Sequence, residues 1–211
     1  MKPKPSPTPI EADPARLRPA VFLDRDDTLI ANVPYLTDPA LLRVLPGAAE
    51  AVAALNRAGF AVVLATNQSA VGRGLLTEDR LREIHDELNR LLAERGAVLD
   101  AIHHCPHVPR SDDRATIEFH DRKPGPGMLL RAASELGLDL AASWMVGDLI
   151  SDVLAGLNAG CRSILVGSNA TLDELPRHVE PGRALAAVDL AAAAALILEE
   201  RNLPPGGSAP C

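Results

Sequence analysis

Five short apolar runs, Ala20–Leu23, Phe60–Ala65, Ala101–His104, Trp144–Val146 and Arg162–Val166, constrain the fold of this chain more than any other feature. They are bounded by turn residues or charge and show no polar alternation, which marks parallel strands covered on both faces. Helical patterns lie between them at about 47–58, 77–95, 126–136 and 150–159, with Pro46-Gly47 and Thr77-Glu78-Asp79 as starts. Strand and helix alternate throughout. The pattern therefore predicts an α/β fold: a three-layer, doubly wound, Rossmann-like and mostly parallel sheet. Such sheets bind ligands at the carboxyl ends of their strands.

The 211 residues, 47% hydrophobic, suffice for one well-cored domain and are few for two. That domain is expected at 19–202, between a disordered Pro-rich tail at 1–18 and a flexible tail at 203–211. Aromatics amount to only 2%, so the core must be built from Ala, Val, Leu and Ile, and a base-stacking surface for nucleic acid is not expected. A net charge of -7 offers no general basic surface to nucleic acid or an anionic membrane, and a phosphorylated substrate would need local cations. No apolar run is long enough to span a bilayer, and the Ala- and Leu-rich stretch 188–198 reads as a packed terminal helix. Cys105, Cys161 and Cys211 are odd in number and widely spaced, which indicates no disulfide framework and fits a reducing cytoplasm.

The chemistry gathers at the strand ends. The first strand runs into Asp24-Arg25-Asp26-Asp27-Thr28, presenting carboxylates at i and i+2. One can act as nucleophile and metal ligand while the other handles a proton, and Mg²⁺ would relieve their repulsion. The ordinary alternative is a solvated acidic turn. The second strand ends in Thr66-Asn67-Gln68-Ser69, hydroxyl and amide donors suited to phosphate oxygens, or else a Ser/Thr or Asx turn. Arg73 follows between two glycines, where a guanidinium can approach phosphate or simply face solvent. Arg122-Lys123-Pro124 precedes a helix, and Lys123 could neutralise a transferred phosphoryl group. A fourth strand ends in Gly147-Asp148 with Asp152 four residues on, supplying the further carboxylate that oxygen coordination of Mg²⁺ requires. The alternative there is Asp148 as a helix N-cap. Four strand ends carrying acid, hydroxyl, lysine and acid in that order favour the joint functional reading.

That ordered set resembles the haloacid dehalogenase (HAD) superfamily from about Ala20 to Val166. More narrowly, the strings at 24–26, 66–69, 73–74, 122–124 and 126–128 resemble the D-glycero-D-manno-heptose 1,7-bisphosphate phosphatase and histidinol-phosphatase group. The resemblance implies a Mg²⁺-dependent phosphomonoester hydrolase working through an aspartyl phosphate, with Asp24 as nucleophile and Asp26 as general acid and base. It further implies Mg²⁺ held by Asp24, the Asp26 carbonyl and Asp148, supported by Asp152. Thr66 and Lys123 would hold phosphoryl oxygens, and Asn67, Gln68, Ser69, Arg73 and Arg122 would face phosphate or substrate. The loop Asn32-Val33-Pro34-Tyr35 would lie beside the substrate, with Tyr35 its most notable residue.

Three positions depart from the group's pattern. Asp27 replaces the usual glycine, Leu149 replaces a lysine, and only Cys105 and His107 remain of a four-ligand zinc site whose later positions are Phe119 and Asp121. His103, His104, His120 and Asp121 have no recognised ligand spacing, so a metal-free loop is expected there. No large cap domain fits between the motifs, leaving substrate choice to residues 31–45, 67–76 and 103–122. A sugar phosphate, in particular the heptose bisphosphate, is the first expectation, with histidinol phosphate or another small phosphomonoester as an alternative. A phosphate-binding or interaction protein that has lost catalysis is the alternative of another class.

Overall fold

A computed structural model describes residues 17–173, 175, 179–180 and 182–202. Six strands form one sheet in the order β3-β2-β1-β4-β5-β6, and every pairing is parallel. They are β1 (Arg18–Leu23), β2 (Ala61–Asn67), β3 (Ala101–Cys105), β4 (Leu138–Gly147), β5 (Arg162–Val166) and β6 (Ala184–Ala187). The helices are α1 (Ala48–Arg57), α2 (Ser69–Gly72), α3 (Glu78–Ala93), α4 (Gly127–Leu136), α5 (Ile150–Asn158) and α6 (Leu190–Asn202). All five expected strands and the five longer helices are present.

The unbroken apolar strands reflect burial from two sides. Val21 and Leu23 of β1, with Val62 and Leu64 of β2, join a core with residues of α1, α3 and α6. Their neighbours Ala20, Phe22, Ala61, Val63 and Ala65 turn to the opposite face, packing with Met128, Leu129 and Ala132 of α4. This is the period-two projection of strand side chains with both faces covered. The expected helix starts hold: Gly47 caps α1 in a left-handed conformation, and the Thr77 side chain accepts from the Arg80 N–H at the head of α3.

The chain builds β1, β2 and β3 outward in one direction, then returns to the other side of β1 for β4, β5 and β6. The order reverses between β1 and β4, and a crevice opens beyond their carboxyl ends. The strand β6 was not evident in sequence. Among the described residues no helix is long and apolar enough to cross a membrane. The expected tails at 1–18 and 203–211 lie outside the described residues, except for Leu17 and Arg18, and Arg18 already belongs to β1.

Candidate active site

The crevice holds the acidic motifs. Asp24 continues β1, its N–H donating to the Val146 carbonyl at 2.9 Å, so the first carboxylate is fixed by the sheet itself. The turn after it closes tightly: the Leu29 and Ile30 N–H groups both donate to the Arg25 carbonyl, and Asp27 N–H donates to the Ile30 carbonyl. Asp148 lies just past β4. Asp24, Asp148 and Asp152 can each offer a carboxylate oxygen within 4.8 Å of the others. Gly147 makes this approach possible, because a Cβ there would fall 2.4 Å from the Asp152 side chain. Asp148 is no N-cap. Instead Asp152 Oδ2 accepts from the Leu149 N–H at 3.0 Å, which secures the head of α5.

Lys123 is buried among these acids. Its ammonium donates to Asp24 Oδ1 at 2.5 Å and to the Ala65 carbonyl at 2.7 Å, and pairs with Asp152 Oδ1 at 2.6 Å. One ammonium facing three carboxylates leaves excess negative charge in a region poor in water. Burial pushes the Asp24 carboxyl up to about 6 against the pull of Lys123, with Asp152 and Asp26 adding repulsion. Burial, then repulsion from Asp152 and Asp24, raises Asp148 to about 7. Asp148 Oδ1 is buried without a hydrogen-bond partner. An all-oxygen donor set, surplus negative charge and an orphaned buried oxygen fit a hard divalent cation such as Mg²⁺.

Asp26 sits at the rim and is held on one side. Arg25 Nη2 donates to Asp26 Oδ2 at 3.0 Å and Gln68 Nε2 donates to the same oxygen at 3.2 Å. Gln68 also donates to Thr66 Oγ1 at 2.8 Å and accepts from Arg25 Nη2 at 2.9 Å, tying the ends of β1 and β2 together. Asn67 clamps the Lys123 segment through its whole amide: Nδ2 donates to the Lys123 carbonyl and Oδ1 accepts from the Lys123 N–H, both at 3.1 Å. Arg25, only 2% exposed, was missed in the sequence, where a cation between two aspartates reads as solvent-facing.

A cavity of about 270 Å³ lies over Asp24, Asp26, Lys123, Asp148 and Asp152. It adjoins one of about 390 Å³ that includes Arg122, Ser111 and Thr116. Asn67, Leu149, Ser151 and Arg114 line both, and neither Ser151 nor Arg114 was singled out in the sequence. Asn32 lines the smaller cavity, as expected for its loop. Five expected residues do not line these walls: Thr66 and Gln68, both buried around the end of β2, and Tyr35, Arg73 and Ser69. Tyr35 is 52% exposed, Arg73 is an exposed residue ending α2, and Ser69 lies in the first turn of α2. Tyr35 lies in the segment after β1, and Ser69 and Arg73 in and at the end of α2, so motif proximity in sequence did not place them on the cavity walls.

The remnant zinc positions are engaged otherwise. The His107 ring stacks on Phe119 at 4.5 Å, and the Arg110 guanidinium lies 4.8 Å over the same ring. Asp121 pairs with Arg131, and burial raises the Cys105 thiol. His104 meets Glu78 at 2.9 Å and His103 faces Glu135. Among the described residues only Asp24, Asp148 and Asp152 form a cluster of three or more potential ligands.

A two-carboxylate loop after β1, a lysine from a later loop and acids after β4, all at the reversal point of a parallel sheet, define a HAD-like hydrolase. Residues 120–193 match the HAD-hydrolase-like family model. The D-glycero-beta-D-manno-heptose-1,7-bisphosphate 7-phosphatase of Yersinia pestis is 43% identical over 145 residues, spanning 67% of this chain and 76% of the relative. The D-glycero-D-manno-heptose-1,7-bisphosphate 7-phosphatase of Thermosynechococcus vestitus is 44% identical over 154 residues, spanning 71% and 79%. A crystal structure of D,D-heptose 1,7-bisphosphate phosphatase from B. bronchiseptica, complexed with magnesium and phosphate, superposes with a TM-score of 0.73 at 37% identity, covering 86% of this chain and 99% of that one. The chain belongs to this family of HAD-like phosphatases.

Proposed function

We propose that the protein is a Mg²⁺-dependent phosphatase that removes the C7 phosphate of D-glycero-D-manno-heptose 1,7-bisphosphate. The observation that carries the chemistry is the meeting of Asp24, Lys123, Asp148 and Asp152, from distant parts of the chain, at one end of the sheet. The relatives' shared activity supports the choice of sugar.

In the first step an Asp24 carboxylate oxygen attacks phosphorus, the bond from phosphorus to the sugar oxygen breaks, and Asp26 gives its proton to that leaving oxygen. In the second, Asp26 takes a proton from water as the water oxygen attacks the phosphorus of the aspartyl phosphate. Asp24 leaves, inorganic phosphate departs and Asp26 is protonated again. Arg25 and Gln68 hold the Asp26 carboxylate through both steps. Lys123 balances charge on the transferred group, its position fixed by Asp152 and by the Asn67 clamp. Asp24, the Asp26 carbonyl and Asp148 would hold Mg²⁺, which when bound screens the incoming phosphoryl oxygens from the attacking carboxylate. Arg122, on the wall of the larger cavity, is proposed to contact phosphate or sugar. Thr66 is proposed to do so from the end of β2, although, like Gln68, Tyr35, Ser69 and Arg73, it has no support from the cavity walls.

The histidine-and-cysteine loop is proposed to work without zinc, since Phe119 has no donor atom and His107 is stacked on it. The buried free thiols of Cys105 and Cys161 support a reducing cytoplasm as the working compartment. The test is phosphate release from the heptose bisphosphate, histidinol phosphate and simpler sugar phosphates, each with Mg²⁺ and with EDTA. Selective release from the heptose, lost in EDTA, is expected. Preference for another member of the panel would reassign the substrate, and metal-independent release would overturn the proposed role of the acidic cluster.

A further inference from the structure

The larger cavity beside the acidic site contains a cation that the chemistry above does not use. Arg114 lines both the cavity over Asp24 and the adjoining one of about 390 Å³, so it stands at their junction. It lines a third surface hollow, beside the segment from Leu165 to Thr171. Its side chain is exposed, and no carboxylate of the described residues lies within ion-pair distance of it.

The other cations of these walls are engaged in whole or in part. Lys123 spends its ammonium on Asp24, Asp152 and the Ala65 carbonyl, and Arg122 Nη1 donates to the His107 carbonyl at 2.8 Å. The acids of the larger cavity are mostly turned to their own loop. Asp113 accepts from the Ala115 N–H at 2.8 Å and the Thr116 hydroxyl at 2.6 Å, and Glu118 accepts from the Arg110 N–H and the Ser111 hydroxyl. Asp112 is the acid on that wall with no such bond. Leu149, the residue after the Asp148 carboxylate, is apolar and offers an anion nothing on the opposite wall.

A bisphosphate whose first phosphoryl group is at Asp24 can carry its second into the adjoining larger cavity past Asn67, Ser151 and Arg114, and Arg114 also borders the third hollow that meets the Asp24 cavity. We propose that Arg114 grips this second phosphate through its guanidinium and so sets the preference for a bisphosphate over a monophosphate. A guanidinium fork matches phosphate oxygens in pairs and keeps its charge at any working pH. The inference rests on the phosphatase function proposed above.

The experiment compares the whole chain with Arg114→Ala and Arg114→Lys, on heptose 1,7-bisphosphate and on heptose 7-phosphate, which keeps the leaving group and lacks the second phosphate. Arg114→Ala is expected to lose roughly 10- to 100-fold in kcat/KM on the bisphosphate, mainly through KM. On the monophosphate it is expected to stay within about twofold, the change reserved for sites free of the contact, and that activity also reports an intact fold. Arg114→Lys should recover part of the loss. Equal losses on both substrates, or no loss on either, would overturn the proposal. A wild-type enzyme that hydrolyses both equally well removes the role of Arg114 and leaves the phosphatase standing. One that hydrolyses neither overturns the heptose assignment and this proposal with it.

Discussion

Asp27 occupies a left-handed backbone position, φ 54°, that an L side chain adopts at a cost. Its carboxylate offsets that cost by accepting from the Asn32 N–H at 3.2 Å and Asn32 Nδ2 at 3.0 Å, so the turn after Asp24 and Asp26 keeps its shape without glycine. The two acids raised by burial give this scale its prediction. With Asp24 near 6 and Asp148 near 7, against an ordinary value of 3.8, the metal-free folded chain holds protons that the unfolded chain has released. Their contribution to stability is therefore complete below about pH 4 and is lost as pH rises through 6 to 7. His85 acts in the opposite sense: burial, then Arg25 and His104, lowers it to about 3, so its contribution is present above pH 6.5 and lost on acidification. Stability alone mixes the two, and cation binding separates them, because Mg²⁺ must displace the carboxyl protons. Titration calorimetry should show Mg²⁺ affinity rising between pH 5 and 8 by on the order of 10²- to 10³-fold. Asp148→Asn should remove much of the rise, and a flat profile would contradict the charge balance of the cluster.

At the scale of elements, the proposal for the segment from Cys105 to Asp121 is that side-chain packing holds it without zinc. The His107–Phe119 stack and the Arg110 guanidinium close its base, and Glu118 ties the Arg110–Ser111 turn. The protein should purify without stoichiometric zinc, and EDTA should leave the thermal midpoint of the Mg²⁺-free protein unchanged. Phe119→Ala should cost about 1 kcal/mol, the value of an aromatic pair of this kind. Stoichiometric zinc whose removal lowers the midpoint would contradict this. The long strands and helices were legible because burial on two faces leaves continuous apolar runs and because Thr77 and Gly47 mark helix starts. Strand β6 was not, being four residues of Ala and Leu at the sheet edge of which only Ala184 is buried. Edge strands of small residues carry neither the apolar run nor the β-branched composition that signals a strand.

In the whole molecule, the acids after β1 and β4 were legible as a site because a doubly wound sheet brings the ends of its adjacent strands together at the point where the order reverses. Lys123 was legible by motif order, though its pairing with both Asp24 and Asp152 was not. Arg25, Ser151 and Arg114 escaped notice because their importance comes from three-dimensional neighbours: a buried Gln68, the head of α5 and the junction of two cavities. Tyr35 and Arg73 are the converse, chemically apt residues that line neither cavity over the acids. The central claim is that Asp24 becomes phosphorylated. It is tested most directly by acid-quenching single turnovers of substrate labelled in the C7 phosphate and mapping the labelled protein, with Asp26→Ala used to slow the second step. The account predicts a hydroxylamine-labile phosphate on Asp24, enriched in Asp26→Ala and absent, together with turnover, from Asp24→Asn. Label on another residue, or turnover retained by Asp24→Asn, would contradict it.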